Sequence, residues 1–189
     1  MQNGGIMNKR EPIKTAFLYG VFICYIVLLM NILFLSRISI FELFNNERTL
    51  FRSINLIPFY SIMEYISGSS EITNTLAFVN VAGNIVIFIP LGIYLPLFKN
   101  DKRAITNLLF ILIVSLFVEI TQGLLGIGAS DIDDVILNCF GGWIGILGYK
   151  FSLFILRDEK IVHTAITILS AIIGLPVTLY FLFIIKMRF

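Results

Sequence analysis

The chain has 189 residues, 58% of them hydrophobic and 14% charged, with a mean hydropathy of +0.93 and a formal net charge of +2. This composition excludes an ordinary water-soluble domain, and the small charge, with no basic run interleaved with aromatics, excludes a nucleic-acid-binding surface. Each membrane-spanning helix needs about 20 apolar residues to cross about 30 Å of hydrocarbon, so the length allows a handful of spans in one membrane domain over 1–189.

The first predicted span runs from Ala16 to Leu35, with Asn31 its only strongly polar residue and Lys9, Arg10 and Lys14 before it. The flank looks like that of a signal peptide. The apolar stretch is longer than a typical signal core and no small-x-small cleavage site follows, so an uncleaved helix is expected. Residues 36–77 form one long connection, with charges of both signs and turn residues at Asn45-Asn46, Pro58 and Ser67-Gly68. Within it, Asn55 to Phe59 reads as the start of an interfacial or re-entrant element whose turn Pro58 fixes, and Phe59 to Ile66 as a short amphipathic piece in the membrane interface.

The second span, Leu76 to Phe98, contains Asn80, Asn84, Pro90 and Pro96, and its prolines predict kinks and freed carbonyls. After the basic link Lys99 to Arg103 comes a third span from Ala104 to Leu125, carrying Glu119 and Gln122 near its end. A fourth follows from Ile132 to Leu156, headed by Asp131, Asp133 and Asp134. A fifth runs from Ile161 to Ile185, with Gly174 and Pro176 inside it. The expected fold class is all-α: a polytopic membrane helix bundle with one long extracytoplasmic loop. Cys24 and Cys139 lie in apolar runs, where a free thiol behaves as a small hydrophobe. No zinc-ligand spacing is present, and His163 is assigned no role.

Orientation follows from the basic residues. With the N-terminus cytoplasmic, the inner side holds nine (Lys9, Arg10, Lys14, Lys99, Lys102, Arg103, Lys150, Arg157, Lys160) and the outer side five (Arg37, Arg48, Arg52, Lys186, Arg188). The positive-inside rule favours this arrangement, although the basic C-terminus, placed outside, dissents from it. Spans two, three and four then bring Asn80 and Asn84, Glu119 and Gln122, and Asp131 to Asn138 toward the outer face, with Asn84 and Glu119 roughly 10 Å below the boundary at 1.5 Å rise per residue.

Helical phase sharpens this grouping. Asp131, Asp134, Asn138, Gly141, Gly145 and Gly148 alternate by three and four, one stripe that is acidic at its head and small below. Ser115, Glu119, Gln122 and Gly126 form a similar stripe on the third span. A carboxylate such as Glu119 facing lipid is costly, so it is expected to face the interior, with Gln122, Asn84 or Asn138 as partner. Asp133 falls off the stripe and points elsewhere. Each feature also has a plain structural reading. Ser130 or Asp131 serves as a helix N-cap, acids in a first turn suit the helix dipole, Asn80 and Asn84 are packing glue, and the glycines are a close-packing face.

Four segments in order carry a resemblance to a known family: Asn55 to Phe59 (NLIPF), Asn80 to Gly92 (NVAGNIVIFIPLG), Glu119 to Gln122 (EITQ), and Asp131 to Asp134 with Asn138 and Gly141-Gly142. Together they resemble the VanZ-like integral membrane proteins over roughly residues 53–150. The resemblance implies a multi-pass protein of a bacterial plasma membrane, associated with teicoplanin and lipoglycopeptide resistance, and it implies no established chemistry. The family often has an Arg three residues before the first Asp, where this chain has Gly128; Arg52, Arg48 or a bound cation is then expected to balance the acids.

Three function classes fit these residues. In the first, Asn80, Asn84, Glu119, Gln122, Asp131, Asp134 and Asn138 line an outer-leaflet polar pocket that binds a membrane lipid or lipid-anchored ligand. In the second, Glu119, Asp131, Asp133 and Asp134 hold a divalent cation such as Mg²⁺ in an enzyme acting on a lipid head group. The third is a small carrier using Glu119. The pocket reading is preferred because no nucleophile-base pair and no internal repeat is visible.

Overall fold

The structure, a computed structural model, describes residues 10–35, 51–60, 63, 71–99 and 103–188. Its helices are α1 (Arg10–Met30), continued by a π-helical turn over Asn31–Leu35, α2 (Glu71–Phe98), α3 (Ala104–Leu125), α4 (Ile132–Leu156) and α5 (Glu159–Arg188). Among the described residues, five helices are long and apolar enough to cross a membrane, matching the five predicted spans. One feature departs from a purely helical reading. Two five-residue strands, β1 (Phe51–Asn55) and β2 (Ile127–Asp131), pair in parallel, with Phe51 opposite Ile127 and Asn55 opposite Asp131. The Asn45-Asn46, Arg48 and Ser67-Gly68 expectations, and the Phe59 to Ile66 piece apart from Phe59, Tyr60 and Met63, lie outside the described residues.

The residues divide into two compact units, Met1–Leu28 with Asp158–Phe189 and Leu29–Arg157. In the first, Leu18, Val21 and Tyr25 of α1 and Val162 and Ile166 of α5 are buried. Asp158 opens α5 by accepting the backbone N–H of Lys160 at 2.8 Å, the side-chain cap that an exposed helix start needs.

The second unit holds α2, α3, α4 and the strand pair. The head of α4 meets the middle of α2, since Asn84 reaches Asp134, and their register then advances together: Gly141 lies against Ile85, and Gly145 against Ile89 and Gly92. These two helices therefore run parallel. A Cβ on Gly141 would lie 2.0 Å from the Ile85 carbonyl oxygen, on Gly145 2.1 Å from that of Ile89, and on Gly92 2.0 Å from that of Gly142. The Cα–H of each glycine is thus aimed at a carbonyl, the close approach that small residues allow between membrane helices. The predicted stripe is modified at two points. Gly142, off the stripe, is buried against Ile111 of α3, whereas Gly148, on it, meets nothing within 4 Å.

α3 runs antiparallel to α4, as the Ser115–Asn138 and Ile111–Gly142 contacts at one end and Glu119–Asp131 at the other require. It stops at Gly126, whose φ of 60° is the left-handed conformation that glycine adopts without a Cβ penalty, and whose N–H returns to the carbonyls of Gln122 and Gly123. The chain passes at once into β2 and then α4, so the third-span polar residues and the acidic segment share one end of the unit.

Candidate functional site: an acidic hub at the helix ends

Asp131, Asp133 and Asp134 act as a set, because each ties the head of α4 to a different element. Asp131 is the N-cap of α4: its Oδ1 accepts the Asp133 N–H at 3.0 Å, and also the Asn55 side-chain amide of β1 at 3.3 Å. The structural reading of Asp131 as a cap is therefore correct, with a link to β1 added. Asp133 is fully buried and turns away from the stripe, accepting the backbone N–H of Phe59 at 2.5 Å. Asp134, 4% exposed, faces α2, where Asn84 donates to its Oδ1 at 2.5 Å and Asn80 at 3.4 Å.

Glu119 closes the arrangement from α3. It is 6% exposed, its Oε2 accepts the Asp131 backbone N–H at 3.0 Å, and its carbonyl accepts the Ser130 hydroxyl. Gly123 makes room for that hydroxyl, since a Cβ there would lie 2.9 Å from Ser130 Oγ. A buried carboxylate is tolerable only when donors surround it, and here backbone and amide N–H groups supply them.

The amides expected beside Glu119 serve other partners. Asn84 goes to Asp134, Asn138 donates to Ser115 Oγ at 2.9 Å, and Gln122 donates to the Leu33 carbonyl at 2.9 Å. The last bond holds the π-helical turn after α1, where an extra residue per turn leaves carbonyls misaligned with their usual donors. Gln122 Oε1 and Asn138 Oδ1 are buried with no hydrogen-bond partner among the described residues. Their unmet acceptor capacity lies at the polar end of α3 and in the stripe below Asp134.

All seven predicted pocket residues thus fall in one unit, six of them in three clusters, Asp134 with Asn80 and Asn84, Glu119 with Asp131, and Asn138 with Ser115, while Gln122 faces Leu33. Among the described residues no group of three or more His, Cys, Asp or Glu side chains is placed to hold a metal ion. Sequence reading missed the role of Asn55, whose side chain both bonds Asp131 and accepts the Ile57 N–H at 3.2 Å. Its place in the NLIPF segment was the available signal.

Among the described residues, five membrane-length helices, with a buried acid–amide hub where the end of α3 and the head of α4 meet the middle of α2, define a polytopic membrane protein with a polar site built on α2, α3 and α4. The chain belongs to the VanZ/LLP1 family, whose profile matches residues 22–156. It is 33% identical over 143 residues to Protein VanZ of Enterococcus faecium, an alignment covering 75% of this chain and 79% of that relative. It is a bacterial membrane protein. No solved structure matches it.

Proposed function

We propose that this protein is a non-enzymatic component of the cell envelope that binds a membrane lipid or lipid-anchored ligand at the outer-leaflet end of α2, α3 and α4, and that this binding lowers susceptibility to teicoplanin and related lipoglycopeptides. The observation that carries the reading is the Asp134 cluster. A carboxylate is sunk between two membrane helices, and one of its amide partners, Asn80, stands exposed at the rim. Nothing in helix packing alone calls for a buried acid there, since apolar or small residues pack membrane helices without the desolvation cost.

The site's chemistry narrows the ligand. Its acids favour a head group that brings donors, such as hydroxyl, amide or ammonium, over a bare phosphate, which they would repel. The membership of the chain in the VanZ/LLP1 family supports the link to glycopeptides, and the positive-inside count supports an outward-facing site with a cytoplasmic N-terminus. The test is deletion with complementation. Loss of the gene is expected to increase teicoplanin susceptibility, wild-type complementation to restore it, and Asp134→Ala complementation at equal membrane abundance to fail. Unchanged susceptibility on deletion would remove the resistance role.

A further inference from the structure

The turn after β1 is built in an unfavourable way for no internal gain. Ile57 to Tyr60 has the arrangement of a type II turn, with Pro58 in the second position and Tyr60 N–H returning to the Ile57 carbonyl at 3.3 Å. The third position of such a turn requires a positive φ and normally takes Gly or Asn. Here it is Phe59, with φ 67°. Asp133 holds the Phe59 N–H and Met63 N–H holds its carbonyl at 2.8 Å, so the backbone is fixed from both sides. Yet the ring is 55% exposed, so core packing does not account for it.

Its neighbours share that exposure. Ile54 is 71% exposed, Leu56 72%, Ile57 64%, Tyr60 54% and Met63 68%, and the sequence from Ile54 to Tyr60 carries no charge. β1 is hydrogen-bonded to β2, and β2 leaves α3 after Gly126 alone. Ser130 and Asp131 are bonded to Glu119, so β2 folds back along α3 and the patch lies beside its last turns, where Ile120 is 58% and Leu124 70% exposed on a membrane-length helix. An apolar, aromatic-tipped segment at the end of a lipid-facing helix has the composition of an interfacial anchor. A strained residue with an exposed ring points to a use outside the fold.

We infer that Ile54 to Tyr60, with Met63, is a lip that inserts into the head-group region of the adjacent leaflet, with Phe59 at its tip, and that the acidic hub fixes its depth through Asp133. The occupant of this apolar surface is the bilayer. The inference stands independently of which ligand, if any, the Asp134 cluster binds.

The experiment uses the full-length chain in vesicles of phosphatidylcholine and phosphatidylglycerol. The chain has a single tryptophan, so Trp143→Phe provides a silent background in which Tyr60→Trp reports from the lip. Its fluorescence is expected to be quenched by phosphatidylcholine brominated near the head-group end of its chains, less by lipid brominated near the chain terminus, and little by aqueous iodide. Adding Phe59→Asn, which suits a positive φ, is expected to leave the fold intact while cutting the bromolipid quenching by about half and raising iodide access. Strong iodide quenching without bromolipid quenching overturns the inference. So does protection that disappears as the protein-to-lipid ratio is lowered, because the cover would then be a second copy of the chain.

Discussion

Asn84 of α2 donates its side-chain amide to the carboxylate of Asp134 of α4, both residues buried, at the level where the two parallel helices begin to pack. Neutral hydrogen bonds between membrane helices are worth only about 0.6 kcal/mol on average, but a carboxylate acceptor roughly doubles a bond's strength, and without Asn84 the longer bond from Asn80 is left to serve the same oxygen. Asn84→Ala is therefore expected to destabilise the protein by about 1–2 kcal/mol. Asp134→Ala alone and the double variant complete a cycle, measured by reversible unfolding in detergent. A positive coupling is expected; strict additivity would show that the bond contributes nothing.

The glycine contacts give a sharper contrast. Gly141→Ala and Gly145→Ala each force a methyl into a backbone carbonyl that cannot swing aside, so the helices must separate, at an expected cost of about 1–3 kcal/mol or more. Gly148→Ala, on the same helix, meets open space and gains helix propensity, so it is expected to be neutral or stabilising by up to about 1 kcal/mol. Thermal melts followed by size-exclusion chromatography separate the two classes. Equal effects at positions 141 and 148 would mean that α2 and α4 do not pack as described.

That contrast also shows what the sequence alone can tell. Hydropathy located the five spans, and the three–four spacing correctly put Asp134, Asn138 and Gly141 on one inward face, because both signals depend only on local periodicity. It overextended the stripe to Gly148, since periodicity does not say where a neighbouring helix diverges. The strands were invisible for a different reason. Phe51–Asn55 and Ile127–Asp131 are too short to show alternation and exist through a partner more than 70 residues away. The same non-local pairing hid Asn55, and helix packing that periodicity does not specify sent the amides to partners other than Glu119.

The hub predicts unequal roles for adjacent acids. Asp131→Ser keeps a helix-capping oxygen while losing the Asn55 link, so a small effect is expected, whereas Asp131→Ala removes the cap as well and is expected to cost about 1 kcal/mol. Asp133→Ala strands the Phe59 N–H and releases the turn. Its expected signature is local: faster protease cleavage or hydrogen exchange around residues 57–60, with the α2–α4 packing preserved. Global unfolding by Asp133→Ala at temperatures where Asp131→Ala stays folded would refute this division.

The strand register offers a resolution of the missing arginine. Gly128 occupies the position where the VanZ resemblance leads one to expect Arg, three residues before Asp131, and its partner across the parallel pair is Arg52. Adjacent strands lie about 4.8 Å apart, so a side chain at position 52 or 128 leaves the backbone from nearly the same place. We expect the charge to have been relocated across the ladder rather than lost. Arg52→Ala should then lower thermal stability, and the double variant Arg52→Ala with Gly128→Arg should recover most of the loss, because the new side chain restores the charge from the neighbouring strand. Gly128→Arg in the wild-type background should give little further gain, as two cations would compete for the same acids. Failure of the double variant to improve on Arg52→Ala would show that position 128 cannot substitute for Arg52, and that the acids are balanced by another group.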